Sequence, residues 1–419
     1  MLSAPLEFDP RRIFGSLRGM NGIKRNDRIW GVLAGFVAPI FGSALSVLLW
    51  AAFVWNVIST AAGRYPFRLG RVAIGCVAAS AAYGGVKLGF TVYHSGLEGA
   101  RHWPGLLIFF APVFYLLRAR ISDGRALFDM FVLGAGFSVV VAAPASAVEM
   151  LLVNGRPELF CGNANVFAAM AALFGSIGTL NVMASSKRRR WLGVLAFFAM
   201  VFCVVVSGRR TMWLALPFLS MVVMWAAAHA LPRRVVLSGA AAAMVVMSIG
   251  LFAGADMVLD RVRAVGEDIA QMEEARNYDS SLGLRILLYR GAWEAIRHAP
   301  LAGYGVADRM EAVRAHVPEQ YRHLVRFTHP HNAYLAAVVD AGVAGLVVLL
   351  VMLTAPVWLS LMAPRDASWS PRLAAGMIVT ICYAVSGTAG IMFEHDLMDA
   401  AFVTLLVVIA SSATPGKLA

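Results

Sequence analysis

The sequence predicts an all-α polytopic membrane protein of about 12 transmembrane helices with one large helical loop on the outer face. Three observations carry this. Hydrophobic residues fill 59% of the 419 positions and charged residues only 14%, with a mean hydropathy of +0.71; a water-soluble domain needs far more surface charge. Apolar runs of about 20 residues recur along the chain, each long enough to cross ~30 Å of hydrocarbon as a helix. The runs are continuous and do not alternate every second residue, which excludes a β-barrel.

Residues 1–28 are polar and basic, with no short apolar core followed by a cleavage site, and read as a cytoplasmic tail. The first apolar block, 29–60, is too long for one span, and Pro39, Gly42 and Ser43 mark a break within it. It is read as two short helices. Further spans are expected near 70–93, 103–120, 126–152, 163–183, 190–206, 211–230 and 233–254. A mostly polar loop follows, and three last spans fall near 333–360, 371–392 and 397–414. The organisation is thus a tail (1–28), helices one to nine (29–254), an outer (periplasmic) loop domain (255–330), helices ten to twelve (331–414) and a cytoplasmic tail (415–419).

Loop charge supports this count. Arg64, Arg68 and Arg71, then Arg118, Arg120 and Arg125, then 187–190, then Arg233 and Arg234, then Arg365 and Arg372 fall in alternate loops. All can face the cytoplasm together, as the positive-inside rule requires. The net charge of +12 therefore reads as topology, not as a nucleic-acid surface. Both termini are expected inside. The four cysteines lie far apart, with no CxxC spacing, so neither a disulfide framework nor a zinc site is indicated.

The 256–330 segment carries ten Arg and eleven acidic residues and is close to neutral. From Leu284 to His298 its apolar residues recur at roughly helical spacing, predicting an amphipathic helix on or near the membrane surface. Pro300 and Gly303-Tyr304-Gly305 end it.

Three outer-face features stand against the topology. Ser207-Gly208-Arg209-Arg210-Thr211 places a basic pair in a short outer loop. Two readings fit: an anionic ligand such as a phosphate, held by a guanidinium fork, or headgroup snorkelling. Arg285, Arg290 and Arg297 lie on the loop helix, either as ligand groups or as solvated surface charge. His329-Pro330-His331-Asn332-Ala333-Tyr334-Leu335 stands where the loop re-enters the membrane. A histidine there suits general-base work on a hydroxyl, a metal site shared with His94, His102, His316, His323 and 394–396, or a purely structural role at the helix start. Lys87, inside the third span, either snorkels outward or contacts a phosphate.

These features, in this order, resemble the bacterial lipopolysaccharide O-antigen ligases of the O-antigen ligase/polymerase superfamily. The likeness rests on Ser207-Gly208-Arg209-Arg210-Thr211-Met212-Trp213, on Arg285 followed by 288–294, on Pro300-Leu301-Ala302-Gly303-Tyr304-Gly305, on His331-Asn332-Ala333-Tyr334-Leu335 and on Gly342-Val343-Ala344-Gly345-Leu346. The family motif puts the functional arginine at Arg210, and Arg209 stands where a small residue is commoner. The resemblance implies a metal- and cofactor-independent, inverting GT-C-like glycosyltransferase of the bacterial inner membrane. Its donor would be O-antigen on undecaprenyl pyrophosphate, its acceptor a lipid A–core sugar, with membrane lipids around it. Arg209, Arg210, Arg285 and Arg290 would bind the pyrophosphate, His331 would be the base, and His329, Asn332 and Tyr334 would support it. An O-antigen polymerase or a protein O-oligosaccharyltransferase of the same superfamily is the nearest alternative. A secondary transporter is a further one, although no internal repeat is visible.

Overall fold

The computed structural model describes residues 10–64, 69–101, 104–117, 123–153, 155–253, 263, 266–272, 277–390 and 392–413. The expected segments 1–9 and 415–419, with Arg68, His102, Arg118 and Arg120, lie outside the described residues. Among those described, every regular element is helical. The first group is α1 (Pro10–Phe41), α2 (Ala44–Ala61), α3 (Arg71–Arg101), a 3-10 turn Pro104–Phe110 and α4 (Pro112–Leu117). Next come α5 (Gly124–Val153), α6 (Ala164–Thr179), α7 (Lys187–Val206), α8 (Arg210–Ala228) and α9 (Arg233–Ala253). Helices α10 (Ser281–His298) and α11 (Gly305–Ala315) then precede α12 (Ala333–Met362), α13 (Trp369–Thr388) and α14 (Asp396–Ser412).

Seven helices among the described residues are long and apolar enough to cross a membrane, against about 12 spans expected. Burial ranks them. The span of α6 is 89% buried inside the protein and that of α2 only 22%, so α6 is a central post and α2 faces lipid. Hydropathy alone cannot make this distinction, because lipid and a protein core are equally apolar. The break in the first apolar block falls at Gly42, whose φ is +54°, three residues after Pro39. Upstream, the helical backbone begins at Pro10, so much of the expected tail is helix running into the first span. No proline interrupts it before Pro39. Helices α1 and α5 approach through glycines: a Cβ at Gly35 would lie 2.2 Å from the Phe131 carbonyl oxygen, and one at Gly134 2.2 Å from that of Val32. Only bare backbone permits that crossing.

The loop helix appears as α10, three residues earlier than its periodicity suggested. Leu287, Leu288 and Ala292 are buried, but against Met310, Val313 and Val317 of the α11 region together with Val325 and Val339. The amphipathic face is therefore covered by protein.

Hydrogen bonds define two ends of the bundle. At one, Arg189 donates to Asn181 Oδ1 (2.9 and 3.0 Å) and to the Asp129 carbonyl (3.0 Å), and Arg372 donates to the carbonyls of Ser412 (2.9 Å) and Pro364 (2.8 Å). The basic loops gather there. The opposite end holds α10, α11 and the turns entering α6, α8, α12 and α14.

Candidate active site

The chain reaches the site through a broken helix. Within α12, Ala341 (φ −143°) and Gly342 (φ +58°) interrupt the helical path, and the turn after α10 fits into the gap. The Tyr304 N–H donates to the Val339 carbonyl (2.8 Å), and the Val343 N–H donates to that of Pro300 (2.9 Å). The break leaves carbonyls without helical donors, and the turn supplies one of these. A Cβ on Gly342 would lie 2.4 Å from the Leu301 carbonyl oxygen, and one on Gly303 2.6 Å from that of Asp340. Two stretches singled out in the sequence, 300–305 and 342–346, are thus one packing unit.

That unit holds Asp340 in a buried ionic cage. Lys87 of α3 lies 2.7 Å from Asp340 Oδ2 and also pairs with Glu394 Oε1. Arg309 of α11 donates through Nε and Nη2 (the latter at 2.5 Å) to Asp340, and through Nη1 and Nη2 to Glu394 at 2.8 Å each. Lys87, Asp340 and Arg309 are at most 3% exposed. Two cations face two carboxylates, the balance that allows such burial. Burial alone would raise the Glu394 carboxyl, but the charges and hydrogen bonds of Arg309 and Lys87 hold it well below the usual carboxylate range. Burial would likewise lower Arg309, yet Asp340 and Glu394 keep it well above its ordinary value. Lys87 therefore neither snorkels outward nor stands ready for a phosphate; its ammonium is committed to two carboxylates.

Beside the cage runs the 328–335 stretch. His331 has φ +54°, a conformation rare outside glycine, and Glu394 has φ +74°; such departures concentrate at functional sites. The Tyr289 hydroxyl fixes His331 by donating to its carbonyl (3.2 Å), and it also reaches the Thr388 carbonyl (3.4 Å). Asn332 caps α12, its Oδ1 accepting from the N–H groups of Tyr334 and Leu335 at 3.0 Å each. The Tyr334 hydroxyl donates to the Ala384 carbonyl (2.9 Å) and ties α12 to α13. Asn332 and Tyr334 thus shape the turn that presents the histidines. The two imidazoles meet at a tilt of 59° with centroids 4.3 Å apart, and Thr328 Oγ1 lies 3.3 Å from His329 Nδ1.

Arg209, His329, His331, Asn163, Asn165 and Thr211 line one cleft. Arg209 is half-buried, and its Nε has no hydrogen-bond partner among the described residues. Burial and the nearby charges of Arg156 and Arg285 lower its affinity for its proton, opposed by Glu158. Burial and Arg285 likewise push the His331 imidazole below its ordinary range. Arg285, Arg209 and His331 therefore share one electrostatic neighbourhood. Arg210 opens α8 with an exposed side chain, and Arg290 is exposed on α10; neither lines this cleft. Among the described residues no group of three or more His, Cys, Asp or Glu could hold a metal ion. His94 instead bonds the Ala302 carbonyl (3.0 Å), and His316 that of Ala312 (2.8 Å).

Sequence reasoning missed Tyr289, Arg156 and the roles of Asp340, Arg309 and Glu394. One signal was present: Lys87 and Asp340 are ionisable residues within apolar runs, which by itself marks a buried polar site. The arrangement offers a cation-rich cleft with an unpartnered guanidinium nitrogen beside an imidazole held neutral at ordinary pH. Those groups can bind an anionic leaving group and take a proton from a nucleophile beside it.

Comparisons with known proteins give one family match and one distant relative. Residues 195–350 match the family model described as O-antigen ligase, a stretch that contains Arg209, Arg285, Arg309, both histidines and Asp340. An uncharacterized protein of Haemophilus influenzae is 23% identical over 198 residues, 46% of this chain and 49% of that relative. The matched region thus spans about half the length of that curated relative. Over residues 195–350 the chain is similar to the O-antigen ligase family.

Proposed function

We propose that the chain is an O-antigen ligase, transferring polysaccharide from undecaprenyl pyrophosphate to a lipid A–core sugar at the periplasmic face of the bacterial inner membrane. In this reading about 12 helices span the bilayer, the 255–330 segment faces the periplasm, and the basic end of the bundle faces the cytoplasm. The observation that carries it is the buried Arg209 Nε without a partner, set among Arg156 and Arg285 and across a cleft from His331. A buried donor left unsatisfied costs about 1–3 kcal/mol, and a diphosphate oxygen would remove that cost while neutralising the crowded cations.

Arg209 and Arg285, with the exposed Arg210 and Arg290 contributing from outside the cleft, hold the diphosphate and stabilise the charge that grows on it. His331 takes the proton of the acceptor hydroxyl. The hydroxyl oxygen forms a bond to the anomeric carbon as the bond from that carbon to the phosphate oxygen breaks. The electron pair leaves with undecaprenyl pyrophosphate, and the configuration inverts. His329, Asn332 and Tyr334 hold the turn in which His331 sits.

Two measurements test this. His331→Ala should abolish transfer, a loss of at least about a hundredfold, while the purified protein still binds lipid-linked donor; near wild-type transfer would remove His331 from the reaction. Cells lacking the protein should accumulate full-length polysaccharide on its lipid carrier. Single-repeat products in those cells would point to a polymerase instead.

A further inference from the structure

Two clefts meet at His329, which lines both. The first is the cationic one, with its unpartnered guanidinium nitrogen. The second lies on the cage side and is walled by Tyr83, Lys87, Arg309, His329, Phe393 and Glu394. Its electrostatics differ in kind. Lys87 and Arg309 are matched one for one by Asp340 and Glu394, so this cleft has no net charge to offer a phosphate. It presents a few fixed polar groups beside apolar walls, with the rings of Tyr83 and Phe393 at a centroid distance of 5.1 Å. Such a lining suits an uncharged, hydroxyl-bearing ligand.

Two groups there keep hydrogen-bonding capacity. Glu394 Oε1 accepts from both Lys87 and Arg309, whereas Oε2 accepts from Arg309 Nη1 at 2.8 Å, and a carboxylate oxygen offers two lone-pair sites. Thr328 engages His329 at Nδ1, which leaves Nε2 for a ligand. Burial, then the charges of His331 and Arg309, push the His329 imidazole down to about 4, with Glu394 opposing, so it meets a ligand as a neutral ring. Inversion also demands that the nucleophile approach the anomeric carbon from the side opposite the departing diphosphate. A separate cleft that adjoins the cationic one at His329 offers such an approach.

We propose that this charge-balanced cleft is the subsite for the acceptor sugar, with His329 Nε2 and Glu394 Oε2 as its hydrogen-bonding groups. The assignment rests on the transferase reading above and divides the site by charge: cations for the diphosphate, a neutral pair of polar groups for the incoming hydroxyls. Glu394 also belongs to the cage, so the test uses other residues. The full-length chain in lipid nanodiscs is assayed with lipid-linked polysaccharide and purified lipid A–core, each varied in turn. His329→Gln removes the ring but keeps a polar group, and Ala336→Met, at a cleft-lining position of α12, fills the space.

Ala336→Met should raise the KM for lipid A–core about tenfold, the effect of losing one hydrogen bond or its geometry, and leave the donor KM within about twofold; His329→Gln, at a residue lining both clefts, should raise the acceptor KM more than the donor KM. Ala336→Met keeps the assignment testable where His329→Gln fails to fold. A rise in donor KM with acceptor KM unchanged would hand the cleft to the donor chain and overturn the assignment. No change in either would show that the cleft binds neither substrate. Absence of transfer by the wild-type chain under donor-binding conditions overturns the ligase reading itself, and the subsite with it.

Discussion

A single backbone angle sets the geometry of the imidazole proposed as the base. At φ +54° His331 adopts a conformation that costs a non-glycine residue roughly 1–3 kcal/mol, and the Tyr289 hydroxyl on its carbonyl helps to hold it there. Tyr289→Phe should therefore lower kcat about tenfold with little change in either KM; unchanged kcat would show that the hydroxyl does not position the ring. Charge acts on the same group. Burial and Arg285 depress His331, and the base works only when neutral, so activity falls as pH drops through that depressed value. Removing the cation in Arg285→Ala lets the imidazole climb toward its ordinary range, and the acid limb of kcat/KM should move to higher pH. The position of the limb is read apart from its amplitude, which also falls through weaker phosphate binding. A limb that stays in place would separate Arg285 from His331 electrostatically. At this scale the sequence marked His331 and Arg285 because their residue types announce their chemistry. Tyr289 and Arg156 escaped, since a tyrosine on an amphipathic helix and an arginine in a polar loop look ordinary until the chain folds around them.

Among the elements, α12 shows what hydropathy reports and what it omits. The apolar run 333–360 was legible as a span, but the break at Gly342 was not, because apart from Asp340 the residues around it are as apolar as their neighbours. Hydropathy follows transfer into lipid and does not register the direction of the backbone. The break at Gly42 was legible because Pro39 announces it. Gly342→Ala would place a methyl 2.4 Å from the Leu301 carbonyl oxygen at φ +58°, and the variant should lose roughly 2–4 kcal/mol, visible as a lowered Tm in detergent. Gly239→Ala on α9, where a Cβ meets nothing within 4 Å, should leave Tm unchanged or slightly raised. Equal Tm values for the two variants would show that the turn after α10 does not depend on the bare Gly342 backbone.

On the scale of the whole molecule, loop charge gave an expected order of inner and outer loops, because the positive-inside bias acts on every loop and adds up along the chain. The cage was not legible. Its members come from α3, α11, α12 and the turn before α14, and nothing local to Lys87 names Glu394, 307 positions away, as its partner. Lys87→Met should cost about 3–5 kcal/mol by leaving two carboxylates to one cation. Adding Asp340→Asn, which restores the charge balance, should recover part of that loss; an additive loss in the double variant would argue against direct pairing. The cage has a mechanical consequence. Arg309 is the rivet between the outer helical pair and the membrane bundle, and parting it from both carboxylates at a cost of about 3–5 kcal/mol keeps the detached state below about 1% of molecules. The outer pair therefore rests closed in nearly all molecules, and on the transferase reading its reactants would meet a pre-formed wall rather than an open jaw.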